Sequence, residues 1–173
     1  MTHPQIPVSL DEARPHLRPL LRGRWHVEMP RLQAEIQGAS YDGHQAAMSF
    51  SHDAVVLLGY DLPGGTWQVG PGELATWKIS FQEGLKIAIQ NLVYVTAPSF
   101  HAMKSGAVVG DWPDGYDASR ILLPDVMRQC GLDDDLIMMV PSRRAGILVA
   151  PASDLDAQLW MLGCSRQLIE EQG

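Results

Sequence analysis

The run Ala54-Val55-Val56-Leu57-Leu58-Gly59-Tyr60 decides the fold class. It is unbroken, apolar and β-branched, with His52-Asp53 before it and Pro63-Gly64-Gly65 after it. A run of that length between turn residues reads as a well-buried, central strand.

Downstream, Ser80-Phe81-Gln82-Glu83 has the form of a capping box. It opens a helix whose inward face is Phe81, Leu85, Ala88, Ile89 and Leu92. Gly84 weakens that helix by about 1 kcal/mol relative to Ala. After Pro98, the segments 100–103 and 107–110 read as short strands joined at Gly106, followed by an Asp114-Gly115 turn. Asp117 is placed to cap a turn of helix. Pro124 fits the first position of another helical piece, which stops at Gly131 after Cys130. Segments 136–140 and 146–150 are apolar strands on either side of Pro141-Ser142-Arg143-Arg144. Ser153 then leads a last helix, with Leu155, Leu159, Leu162 and Ile169 expected inward.

Upstream, Ser9-Leu10-Asp11-Glu12 is a second capping-box pattern, and Leu10, Ala13, Leu17 and Leu21 recur at helical spacing. Pro15 and Pro19 each remove a backbone donor, so a kinked or broken helix is expected. Residues 25–37 mix short apolar alternation with Pro30 and read as extended chain, and 40–44 as a turn around Gly43. The order of elements gives an α+β class: a single domain over residues 1–173, with a mixed, largely antiparallel sheet packed against helices.

Composition supports one folded domain. The chain has 173 residues, 46% hydrophobic and 19% charged, enough to bury roughly two thirds of its unfolded surface. The net charge of -7 disfavours nucleic acid and anionic membranes and suits a basic protein partner. No run approaches the roughly 18 apolar residues of a membrane span, and residues 1–8 lack a signal-peptide pattern, so a cytoplasmic location is expected. Cys130 and Cys164 sit in no CxxC or Cys/His arrangement and read as small packing residues.

The motifs of chemistry are missing or incomplete. Gly70-Pro71-Gly72-Glu73-Leu74-Ala75 matches GxGxx(G/A), but Pro71 removes a donor and no acidic residue follows at ribose-binding distance. It reads as a strand-to-helix turn, and no cofactor is expected. His3, His16, His26, His44, His52 and His101 form no HExxH. His44, His52 and Asp53 offer no third reliable ligand, and Asp133-Asp134-Asp135 lacks the spread and closing Glu of a calcium loop, so no metal is expected. GxSxG is absent.

One constellation stands out: Asp114, Asp117, Arg120, Arg143 and Arg144. Carboxylates and guanidiniums at two neighbouring turns would form an ionic network fixing one loop to another. The same arginines could instead hold a carboxylate or phosphate of a partner.

Five motifs in order carry a resemblance: Val55–Pro63, Glu73–Trp77, Ala88–Leu92, Asp117–Pro124 and Val140–Arg143. Over about residues 53–160 the chain resembles the bacterial DUF1444 family (YtpQ-like proteins), and residues 1–50 are outside the likeness. The resemblance implies a shared fold and assigns no activity or catalytic residue. Arg144 stands where relatives carry an acidic residue. The expectation is therefore a cytoplasmic accessory or immunity-type module that binds a basic protein. The alternative is a hydrolase-like enzyme with a site near Asp117, Arg120 and Arg143. Oligomeric state is not legible.

Overall fold

The computed structural model describes residues 7–39, 46–62, 65–133, 135–141 and 146–172. The chain is α+β, as expected. Its contacts gather into two compact units, Met1–Val95 and Thr96–Gly173. The strands are divided over two sheets rather than one, and every pairing among the described residues is antiparallel.

In the first unit, α1 (Leu10–Ala13) gives way to a 3-10 turn at Arg14–His16 and then to β1 (Leu17–Gly23). The helix breaks where Pro15 forbids its continuation, so Leu17 and Leu21 are strand residues. Ser9 makes no capping hydrogen bond through its side chain. Pro19 is tolerated because, among the described residues, β1 pairs with β3 alone and so stands at the edge of its sheet.

Residues 25–37 correct the extended reading: Trp25–Ile36 is a helix, α2, with Pro30 inside it. Glu28, Met29, Arg31, Leu32, Gln33, Ala34 and Glu35 are all good helix formers, and Glu28 pairs with Arg31 at 3.0 Å. That local preference outweighs one missing donor.

The strand β2 (Ala47–Ser49) precedes β3 (Ala54–Leu62), the long central strand that the apolar run foretold. Along one edge β3 pairs with β1 from Ala54 to Tyr60. Along the other it pairs first with β2 and then with β4 (Gly65–Gln68). The turn into β3 is held by Arg24, whose guanidinium donates to the His52 carbonyl at 2.7 Å, the Ser51 carbonyl at 2.8 Å and Ser49 Oγ at 2.8 Å.

Two helices follow, α3 (Pro71–Trp77) and α4 (Phe81–Val95). The Gly70 N–H donates to Glu73 Oε2 at 2.9 Å, so the glycine motif is a strand-to-helix turn. The Ser80 box forms reciprocally: Ser80 N–H donates to Glu83 Oε2 at 2.7 Å and Glu83 N–H to Ser80 Oγ at 3.2 Å. Leu85, Ala88 and Leu92 are buried, with Phe81 and Ile89 half-buried. Gly84 has a packing reason, since a Cβ there would lie 2.8 Å from Leu58 Cδ2. The core joins Ala13, Leu17, Leu58, Tyr60, Val69, Leu74, Trp77 and Ala88.

In the second unit, β5 (Phe100–Ala102) and β6 (Val108–Gly110) form the expected hairpin. A 3-10 turn at Ala118–Leu122 leads to α5 (Pro124–Met127) and a further 3-10 turn ending at Cys130. Then come β7 (Leu136–Met139), β8 (Ile147–Pro151) and α6 (Leu155–Gln172). The sheet order is β5-β6-β8-β7.

The inward face of α6 is corrected. Leu155, Leu159, Leu162 and Ile169 are 53 to 66% exposed, while Ala157, Met161 and Ser165 are buried. Asp154, not Ser153, precedes the helix, and its Oδ1 accepts from the Ala157 N–H at 3.0 Å. With the helix anchored there, the small face meets Ala107, Leu148 and Ala150 closely, and Met161 fills the remaining space.

Candidate functional site

The Asp114 cluster is built on the turn that leaves β6. Trp112 lies against Gly110, where a Cβ would stand 2.8 Å from its ring, and meets Phe100 edge to face at 5.4 Å. Its indole N–H donates to the Ala97 carbonyl at 2.7 Å. Gly115, with φ +73°, lets the chain turn back. The Tyr116 N–H then reaches Asp114 Oδ1 at 3.0 Å.

Arg120 closes the turn. Its Nη1 donates to Asp114 Oδ1 at 2.8 Å and its Nη2 to Asp114 Oδ2 at 2.6 Å. Its Nε donates to Thr96 Oγ1 at 3.1 Å, and its guanidinium carbon lies 4.6 Å from the centre of the Trp112 ring. Arg120 is 0% exposed. A guanidinium this deep is stable only when paired, which the two-pronged carboxylate and the aromatic face accomplish.

Asp117 has a different task. It stands at the start of the 3-10 turn but makes no cap to it. Instead its Oδ1 accepts from the Trp112 N–H at 2.8 Å. Burial pushes the Asp117 carboxyl up, and the Trp112 N–H and Arg120 only partly offset this. For Asp114 burial acts in the same direction, but Arg120 and the Tyr116 N–H outweigh it and hold that carboxyl below its ordinary value.

The structure thus brings together Asp114, Asp117 and Arg120. Arg143 and Arg144 lie outside the described residues, as do His44 and Asp134. Within the cluster the ionic-network reading describes Asp114 and Arg120, and burial takes Asp117 and Arg120 out of reach of a ligand at the surface. Trp112 and Thr96 are the partners that sequence reading missed. The motif Trp112-Pro113-Asp114-Gly115 signals the turn, whereas Thr96, 24 residues from Arg120, gives no signal.

His52 and Asp53 belong to the turn held by Arg24. Asp53 Oδ1 accepts from Ser51 Oγ at 2.6 Å, and this bond leads the causes holding its carboxyl below the ordinary value. Among the described residues no three His, Cys, Asp or Glu side chains converge as metal ligands, and no helix is long and apolar enough to cross a membrane. Cys130 is buried and Cys164 half-buried, the latter with its thiol pushed up by burial.

No family model, curated protein or solved structure matches the chain.

Proposed function

We propose that this chain is a bacterial cytoplasmic interaction module, accessory or immunity-type, that binds a basic protein. The observation that carries the reading is the commitment of Arg120. Arg120, one of the three arginines that could hold an anionic ligand, is buried and already engaged by Asp114, Thr96 and Trp112. The net charge of -7 attracts a basic partner and repels nucleic acid and anionic lipid. Exposed Leu155 and Leu159 beside Asp156 supply apolar contact next to acidic charge. Kinship with DUF1444 belongs to this proposal and brings no activity with it.

A second reading, an enzyme near Asp117, draws on the raised carboxyl of Asp117 beside Asp111 and Asp114. The two readings separate on one experiment. Affinity capture from the native cell at low salt, with elution by a salt step, should yield a basic protein whose binding is unchanged by Asp117→Asn. Recovery of no salt-labile protein, together with a hydrolytic activity abolished by Asp117→Asn, would favour the enzyme.

A further inference from the structure

Helix α2 has no buried residue. Its apolar side chains fall on two opposite sides. Val27, Pro30 and Ala34, at i, i+3 and i+7, are only half-buried. Trp25, Met29, Leu32 and Ile36, at i, i+4, i+7 and i+11, are 68, 45, 42 and 85% exposed. The large side chains therefore supply little packing to hold the helix, whereas α4 buries Leu85, Ala88 and Leu92.

An isolated helix of fewer than about 12 to 15 residues is barely stable in water, and most helices in proteins rely on a packed face. With 12 residues, α2 lies at that limit. Pro30 weakens it further, because its nitrogen has no hydrogen to donate to the His26 carbonyl. The Glu28–Arg31 pair is exposed on both sides and adds little.

The two ends of the helix are held differently. At the start, the Arg24 N–H donates to the Asp53 carbonyl at 2.6 Å, and its guanidinium donates to the Ser51 and His52 carbonyls at 2.8 and 2.7 Å. These partners lie outside the helix and survive its opening. At the far end, Gly38, with φ +64°, lets its N–H donate to the Glu35 carbonyl at 3.1 Å and the Ala39 N–H to the Ala34 carbonyl at 2.9 Å. Both acceptors belong to α2 itself, so this closure is lost when the helix opens.

We propose that α2 is a hinged segment: residues 26–39 open and refold together about the Arg24 anchor, while β1 and β3 stay folded. The opening is a local equilibrium of the native protein. It is independent of the basic partner.

Hydrogen exchange of the full chain, read residue by residue by NMR from 0 to about 1 M urea, tests this. The amides from Leu32 to Ile36 should exchange at least about 100-fold faster than those of Val56 and Leu57, at rates that low urea does not change. Pro30→Ala, which returns a donor to the His26 carbonyl, should slow the α2 amides about tenfold or more. Ile36→Gln, on the exposed stripe, should change them by less than about threefold. The proposal is overturned by α2 amides that exchange no faster than Val56 and Leu57 or that quicken with urea in step with them. It is equally overturned if Pro30→Ala fails to slow them, or if Ile36→Gln quickens them about tenfold, the mark of a stripe that is packed in solution.

Discussion

The Asp114 carboxylate and the Arg120 guanidinium face each other in two parallel hydrogen bonds of 2.8 and 2.6 Å, six residues apart and beneath the Trp112 ring. The arginine is wholly buried, whereas the Asp114 side chain is 34% exposed. The pair fastens the turn after β6 to the start of the second unit through Thr96.

Removing Arg120 leaves Asp114 without its counter-charge and opens a void under Trp112. Arg120→Ala should therefore cost about 3 to 5 kcal/mol. Arg166→Ala, which removes an exposed i,i+4 pair with Glu170, should cost no more than about 0.5 kcal/mol. Urea denaturation of the two variants decides it, and equal midpoints would contradict a structural role for Arg120.

The two carboxyls should shift acid stability in opposite directions. Asp114 titrates below its ordinary value, so it contributes stability above its unfolded pKa that is lost as pH falls through the folded value. Asp117 titrates above, so its contribution is full below the unfolded pKa and lost as pH rises through the folded value. Relative to wild type, Asp114→Asn should be more destabilising at about pH 7 than at about pH 3, and Asp117→Asn less so. Melting temperatures at both pH values provide the check, and shifts of the same sign would refute the assignment.

Two helical glycines should respond oppositely to alanine. At Gly84 the added Cβ meets Leu58 Cδ2 at 2.8 Å in a filled core, so Gly84→Ala should cost about 1 to 3 kcal/mol despite better helix propensity. At Gly163 a Cβ meets nothing within 4 Å, so Gly163→Ala should gain about 0.5 to 1 kcal/mol. Thermal melts of the two single variants would show a common sign if the close approach of α4 to β3 were wrong.

The phase of α6 can be read from two substitutions. Met161→Ala, inside the cluster with Ala107 and Leu148, should cost about 2 to 5 kcal/mol. Leu159→Gln, on the exposed stripe, should change stability by less than about 0.5 kcal/mol. A reversed ranking would restore the leucine face as the core.

These contrasts also mark what was legible in the sequence. The β3 run and the Ser80 box were readable because a central strand and a reciprocal cap depend on neighbouring residues. The phase of α6 was not, because its exposed stripe, Leu155, Leu159, Leu162 and Ile169, is more apolar than the Ala157 and Ser165 face that the sheet accepts. Pro30 conceals α2, since one helix-breaking residue stands among seven helix formers whose combined preference prevails. At the candidate site, the charges of Asp114, Asp117 and Arg120 suggested an ionic network, with a recognition surface as the alternative. The burial of Arg120 goes with the Trp112 ring over its guanidinium and with Thr96, a contact that spacing does not reveal.

The central claim is that acidic charge directs this chain to a basic protein. It is tested most directly by the association rate with the captured partner, measured from about 0.05 to 0.5 M salt, a range over which screening shortens from beyond 10 Å to a few Å. The account predicts a rate that falls about tenfold or more, with a much smaller change in the dissociation rate. An association rate independent of salt would contradict it.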